Sequence, residues 1–251
     1  MPKEHGSWGM FFLPLALGLI AAGQFSAHAL LFVTSALLLF LAREPFLEAW
    51  RNIRRAQPIS RKGRGGITLL AASVFAGVFL LPEYPALLGF GAIAAVVLTW
   101  QAEAAMTGGA RTLTGELIAV SASMLNAPAA YYVATGRIDG RAGILYALAL
   151  LYFTGTVFYV KMRVKTAHAK TPEAAASIRR YCISYHLFLL SAVVLLGATG
   201  RVGWATPAGY LPAITRALWY GFRPTRTLNL KQIGWTEVVY SLVWLAGNSI
   251  P

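Results

Sequence analysis

Long apolar runs recur along this sequence, and they restrict its fold more than any other feature. A transmembrane helix needs about 20 mostly apolar residues, because that length crosses the hydrocarbon core of a bilayer. Lipid offers the backbone no hydrogen-bond partners, so only helices and closed barrels span it. The sequence therefore predicts an all-α fold, a polytopic transmembrane bundle of about nine helices. The predicted spans lie near 8–24, 26–42, 66–82, 85–102, 113–134, 142–161, 183–200, 203–222 and 233–249.

Composition supports a membrane protein and argues against other classes. Hydrophobic residues make up 57% of the chain and charged residues 12%, a balance that soluble globular domains do not show. Basic residues in a membrane protein mark cytosolic loops and contacts with anionic lipid, so the net charge of +13 predicts membrane lipids and not nucleic acid as partners. The single cysteine, Cys182, excludes an intrachain disulfide and offers no partner for a structural zinc site.

The distribution of Lys and Arg predicts the orientation of the chain. With the N-terminus inside, 18 of these residues fall on the cytosolic side and three on the opposite side, while Arg216 lies within a predicted span. The positive-inside rule then predicts a cytosolic N-terminus and an outer C-terminus in the cell membrane. We expect one integral membrane domain, residues 1–251. Its cytosolic loops are predicted near 43–65, 103–112, 161–182 and 223–232.

The densest charge follows the second predicted span. Glu44 and Glu48 lie four residues apart, so on a helix they share one face with Arg51, and Arg43 lies beside that face. Two interpretations are open. These groups form either the cytosolic flank of a span or a polar site for an anionic substrate.

Ionisable groups elsewhere lie at a similar predicted depth. Such groups are costly in a membrane and usually face a bundle interior or a water-filled cavity. Arg216 has no short route to water, so we expect it to act in a site or in a buried pair. Glu116 also complements the dipole of a helix start, and His186 is either a proton carrier or bonded to a neighbour. Together these residues predict a polar pocket that faces the cytosol. The alternative for each residue is that its side chain snorkels to the membrane surface or pairs with a neighbour.

Three local patterns also carry predictions. Lys3 and His5 precede the first span, and His5 is a candidate hydrogen-bonding group if this segment folds back into the pocket. Thr171 and Pro172 are typical of the cap and first residue of a helix. Asn126 with Pro128 predicts a kink within the fifth span.

Several short motifs resemble those of the YwiC-like bacterial membrane proteins. The resemblance covers nearly the whole chain, and its N-terminal motif is the most specific part. It implies a multi-pass protein of the bacterial inner membrane but no particular reaction. The motifs are Lys3-Glu-His-Gly-Ser-Trp-Gly-Met10 with Pro14, Ala42-Arg-Glu-Pro45, Gly115-Glu116, Val157-Phe-Tyr-Val-Lys161 and Gly234-Trp-Thr-Glu237.

The layout is more distantly similar to that of the UbiA-like intramembrane prenyltransferases. Those enzymes have nine helices and hold magnesium diphosphate with two aspartate-rich loops, after the second and sixth helices. Neither corresponding loop here contains aspartate. Glu44 and Glu48 stand where acids are expected in the first loop, but Lys161 and Arg163 replace them in the second. One pair of glutamates supplies few of the oxygen ligands that magnesium requires, so the sequence gives little support for this metal as a cofactor.

Arginine and lysine permit another chemistry, in which they bind a lipid phosphate directly. The sequence then predicts a divergent transferase acting on a polyprenyl (di)phosphate or another anionic lipid, with Glu44, Glu48 or His5 as catalytic base. A transporter or lipid-handling protein and a non-catalytic membrane component are the alternatives, and the sequence leaves the oligomeric state open. The candidate substrate-binding residues are Lys3, Arg43, Arg51, Glu116, Lys161, Arg163, His186, Arg216 and Arg223.

Overall fold

A computed structural model describes residues 5–109, 112–169, 171–223 and 229–249. Within these ranges the chain forms ten helices and no strand. Because α5 and α6 are separated only by Leu125, they form two parts of one span, and the predicted all-α bundle of nine helices is confirmed. The helices are α1 (His5–Ala22), α2 (Ala27–Arg54), α3 (Arg61–Val78), α4 (Leu87–Thr107), α5 (Leu113–Met124), α6 (Asn126–Thr135), α7 (Gly140–Ala167), α8 (Pro172–Ala198), α9 (Ala205–Phe222) and α10 (Leu230–Ser249).

Five helical segments in the described part of the chain are long and apolar enough to cross a membrane. They are α2, α4, the pair α5 and α6, α7 and α8. Helix α1 is apolar over Ser7–Ala22 but shorter. The orientation relative to the cytosol stays a prediction.

Local sequence signals account for several helix ends. Ser26, Ser60, Thr112 and Thr171 are the N-cap residues of α2, α3, α5 and α8, and each side chain accepts a hydrogen bond from the backbone amide three residues later. Such bonds satisfy amides that have no partner within the helix. Pro172 occupies the first turn of α8, so the predicted start of this helix is confirmed.

The helix of the fifth span is interrupted at Leu125, one residue before Asn126, in the region where the sequence predicts a kink. Pro128 lies in the first turn of α6, where its missing amide removes no helical hydrogen bond. Helix α7 begins after Asp139, whose carboxylate accepts bonds from the amides of Arg141 (2.9 Å) and Ala142 (3.2 Å) and from the Tyr131 hydroxyl (3.1 Å). Desolvation raises the pKa of Asp139, but the Ala142 amide and the Tyr131 hydroxyl outweigh it and hold this pKa below its ordinary value.

The chain divides into two units, residues 1–147 and 148–251, and the boundary falls within α7. In the first unit α2 packs along α3, and α1 packs against α6. In the second unit α8 and α10 both pack against α9. The single integral membrane domain stays a prediction.

Glycine permits the close approach of α2 and α3. A Cβ atom at Gly66 would lie 2.5 Å from the backbone nitrogen of Phe46 and 2.6 Å from the carbonyl carbon of Pro45. Backbone atoms cannot move aside as a flexible side chain can, so any larger residue must separate the two helices. Gly65, one position earlier, faces open space.

We predict that Gly66→Ala destabilises the protein by about 1 to 3 kcal/mol, because the added methyl group overpacks the contact between α2 and α3. Gly65→Ala is the matched control. It adds the same methyl group to the same helix without a clash, and we expect unchanged or slightly higher stability. Thermal unfolding of the detergent-purified variants measures both effects. Equal melting temperatures for the two variants would contradict the proposed backbone contact.

Candidate functional site

An ion pair between α9 and α10 lies in the interior of the second unit. The side chains of Arg216 and Glu237 are only 8% and 11% exposed. Nη2 of Arg216 donates to Oε1 of Glu237, and Nη1 donates to the hydroxyl of Thr236 at 3.2 Å. This pair is one of the two outcomes that the sequence led us to expect for Arg216.

Aromatic rings surround the two arginines of this region. The Arg216 guanidinium carbon lies 3.9 Å from the ring centre of Tyr159 and 4.6 Å from that of Tyr240. Arg163 donates to the Tyr159 hydroxyl at 3.2 Å and lies 4.0 Å from the ring centre of Tyr220. Both guanidiniums therefore contact the same tyrosine. We call these five residues, together with Glu237, the Tyr159 cluster.

Helix periodicity explains why these side chains meet. Tyr159 and Arg163 are four residues apart on α7, and Arg216 and Tyr220 are four residues apart on α9, so each pair occupies one helix face. Tyr159 contacts Arg216, and one turn later Arg163 contacts Tyr220. Helices α7 and α9 consequently run in the same direction where they meet, and each supplies one ring and one cation.

The remaining predicted residues of the second unit have more local roles. His186 is buried, and its Nδ1 lies 2.8 Å from the backbone oxygen of Cys182, so a neighbour on its own helix satisfies it. The guanidinium of Arg223 lies 4.4 Å from the ring centre of exposed Trp219. Lys161 is half-buried on α7, two residues before Arg163.

In the first unit, Arg43 and Glu44 form an ion pair within α2. Nη1 of Arg43 lies 3.0 Å from Oε1 of Glu44, and both side chains are nearly half exposed. Nε of Arg43 donates to the side-chain oxygen of Gln101 on α4 at 2.8 Å. Gln101 is buried, and no sequence signal pointed to it, because it lies 58 residues away.

Glu48 braces the turn between α2 and α3. It accepts a bond of 2.7 Å from Ser60, the cap residue of α3, and pairs with Lys62 at 3.0 Å. Arg51 lies one turn further along α2 and is exposed. The helix α2 continues to Arg54, so much of the predicted 43–65 loop is helical.

The other candidate residues are placed as follows. Glu116 lies in the first turn of α5, as expected. His5 is the first residue of α1, but its side chain lies outside the described part of the chain, and Lys3 lies outside it altogether. Their proposed contacts with a substrate stay predictions.

The donor set of the described chain does not suit magnesium. No group of three or more His, Cys, Asp and Glu side chains comes together there to hold a metal ion. Glu44 and Glu48 each pair with a cationic side chain, which competes with a metal for the same oxygens. We therefore assign no step to a metal.

The helical fold and its apolar spans define a multi-pass integral membrane protein. A family model described as YwiC-like protein matches residues 1–131, and the chain belongs to this family, as its motifs predicted. The chain is also 28% identical over 257 residues to Uncharacterized protein YwiC of Bacillus subtilis (strain 168), covering 98% of this chain and 95% of that protein. No solved structure is significantly similar to the chain.

We predict that Arg216→Met destabilises the protein by about 3 to 5 kcal/mol, because it leaves the Glu237 carboxylate buried without its partner. Arg223→Met is the matched control, since it removes the same charge from an exposed position directly after the last residue of α9. We expect a change below about 1 kcal/mol for it. Denaturant unfolding in detergent measures both. Similar losses in the two variants would contradict the assignment of Arg216 to the core.

Proposed function

We propose that this protein binds the phosphate headgroup of an anionic lipid, such as a polyprenyl (di)phosphate, from the cytosolic side of the bacterial inner membrane. The main support for this proposal is the distribution of positive charge along the chain. Residues 148–251 contain eleven Lys and Arg against two Glu, so nine of the thirteen excess positive charges lie in this unit. Such an excess attracts phosphate groups.

The geometry of Arg163 supports phosphate recognition. Its guanidinium lies against the Tyr220 ring and donates to the Tyr159 hydroxyl, so its position is fixed before a ligand arrives. A fixed, planar guanidinium suits the oxygens of a phosphate better than a flexible ammonium does. Lys161, two residues earlier on α7, lies on the opposite side of this helix and does not share the face of Arg163.

The exposed rings at the end of α9 support a lipid as the carrier of that phosphate. Trp219 and Phe222 are 56% and 67% exposed and flank Arg223. Aromatic side chains next to cations are typical of the level at which lipid headgroups meet the hydrocarbon core. A lipid bound here would place its charged head near Arg163 and Arg223 and its tail along the apolar helix faces.

Binding has more support than catalysis. In the transferase interpretation Glu44, Glu48 or His5 acts as a base, but Glu44 and Glu48 are both engaged in ion pairs. Each of these carboxylates already has a cationic partner in this structure. The transferase therefore remains a proposal that rests on the helix layout.

A non-catalytic membrane component is the second candidate, and the ion pairs between helices favour it. Arg216 pairs with Glu237 between α9 and α10, and Arg54 pairs with Glu103 between α2 and α4 at 3.4 Å. Pairs of this kind tie helices together without requiring a ligand.

We predict that the purified protein binds a polyprenyl phosphate more tightly than the neutral polyprenol of equal length. We also predict that Arg163→Gln lowers the affinity for the polyprenyl phosphate about tenfold, because it removes one charge-assisted hydrogen bond. Arg201→Gln is the matched control, because it removes an exposed arginine from the predicted outer side of the same unit. Native mass spectrometry with lipid titration measures each affinity.

Phosphatidylglycerol serves as a third probe in the same titration. Equal affinity for this phospholipid and the polyprenyl phosphate assigns the site to anionic lipids in general. Equal affinity for the phosphate lipid and the neutral polyprenol contradicts the proposal. So does an equal loss for Arg163→Gln and Arg201→Gln.

A further inference from the structure

A groove runs along one face of α5 in the first unit. It has a volume of about 460 Å³ between α4, α5 and α7, and all of its lining residues belong to residues 1–147. Along α5 and its C-cap the lining includes Thr114, Leu117, Ser121 and Leu125. These residues recur at intervals of three or four, so they share one side of the helix. The groove therefore follows α5 over its whole length.

Small side chains near the middle of the groove help to keep this space open. Ser121 and Ala122 line it on α5, and Ile93 and Val97, one turn apart, line it on α4. Ile93 is 47% exposed, so the groove opens at the surface of the unit. Both α4 and the pair α5 and α6 are apolar enough to cross a membrane. In a bilayer this surface contacts lipid, and hydrocarbon chains reach the groove directly.

The dimensions of the groove suit one hydrocarbon chain. From Thr114 to Leu125 an α-helix rises by about 16 Å, and a volume of this size spread over that length has a cross-section of about 30 Å². A hydrocarbon chain is about 4 to 5 Å wide, so its cross-section is about 20 Å². The groove has room for one such chain but not for two side by side.

The side chains of the groove also indicate the charge of its ligand. No charged side chain of the described residues lines it, and its polar side chains are the hydroxyl-bearing Thr114, Ser121 and Tyr146. Hydroxyl groups exchange hydrogen bonds with neutral oxygen groups. A phosphate or an ammonium group would have no counter-charge among these side chains. An apolar lining with a few polar groups is typical of small-molecule sites.

We propose that this groove binds one acyl or isoprenyl chain of a lipid whose polar end is a neutral oxygen-bearing group. The oxygen group bonds to Thr114 in the first turn of α5, and the chain extends along the helix to Leu125. This site is independent of the phosphate site proposed at Arg163, because Arg163 lies in the second unit.

Photo-crosslinking tests this proposal. The probe is hexadecanol with a diazirine group in its chain, and the protein is purified in digitonin, whose rigid steroid body does not resemble a hydrocarbon chain. Val97→Trp fills the groove with a larger side chain. Val96→Trp is the matched control, because it adds the same ring to a neighbouring position of α4 that is 66% exposed and outside the lining. Mass spectrometry of peptides locates the label.

We expect saturable labelling of the groove residues of α5 in the parent protein and in Val96→Trp. In Val97→Trp we expect at least about tenfold less label, because the indole ring occupies the space of the chain. Equal labelling of the two variants overturns the proposal, and so does labelling that does not saturate. Ala122→Phe fills the groove from α5 and serves as a second test if Val97→Trp does not fold.

Unlabelled competitors identify the kind of chain. Displacement of the probe by farnesol alone assigns the groove to isoprenyl chains, and displacement by hexadecanol alone assigns it to straight acyl chains. Displacement by both assigns it to single hydrocarbon chains of either kind. Hexadecyl phosphate has the same chain with a charged end. Stronger displacement by hexadecyl phosphate than by hexadecanol contradicts the neutral polar end.

Discussion

A guanidinium buried among aromatic rings requires a counter-charge, and Glu237 supplies it to Arg216. The pair joins α9 to α10, and the Tyr159 ring beneath the guanidinium brings in α7. Arg163 in turn bonds to the Tyr159 hydroxyl, so its position depends on the same tyrosine. The basic site proposed for a lipid phosphate is thus built around this one interaction.

The first unit is held together differently. Its charged groups pair at exposed or half-exposed positions, as Arg43 does with Glu44, and such pairs contribute little to stability. Close packing matters more there, because Gly66 brings the backbone of α3 against that of α2. Glu48 bonds to Ser60 and stabilises the turn between these helices, and its role as a catalytic base stays a prediction.

Features that depend on neighbouring residues could be predicted from the sequence, whereas contacts between distant residues could not. The cap at Thr171 and the break before Pro128 depend on groups within one helical turn, so the residue types alone predict them. Arg216 was expected to need a partner, because it lies in an apolar segment, but its pairing with Glu237 depends on how α9 and α10 pack. The Tyr159 and Arg163 spacing was visible as one helix face, yet nothing in it indicated that α9 presents the complementary pair.

A double-mutant cycle on Arg216 and Glu237 tests the central claim most directly. Arg216→Met, Glu237→Met and the double variant are compared with the parent protein by denaturant unfolding in detergent. If the two side chains form a buried ion pair, the double variant loses less stability than the two single losses together, by about 2 kcal/mol or more, since no unpaired charge remains in the core. Additive losses would show that the two groups do not interact, and would contradict this account.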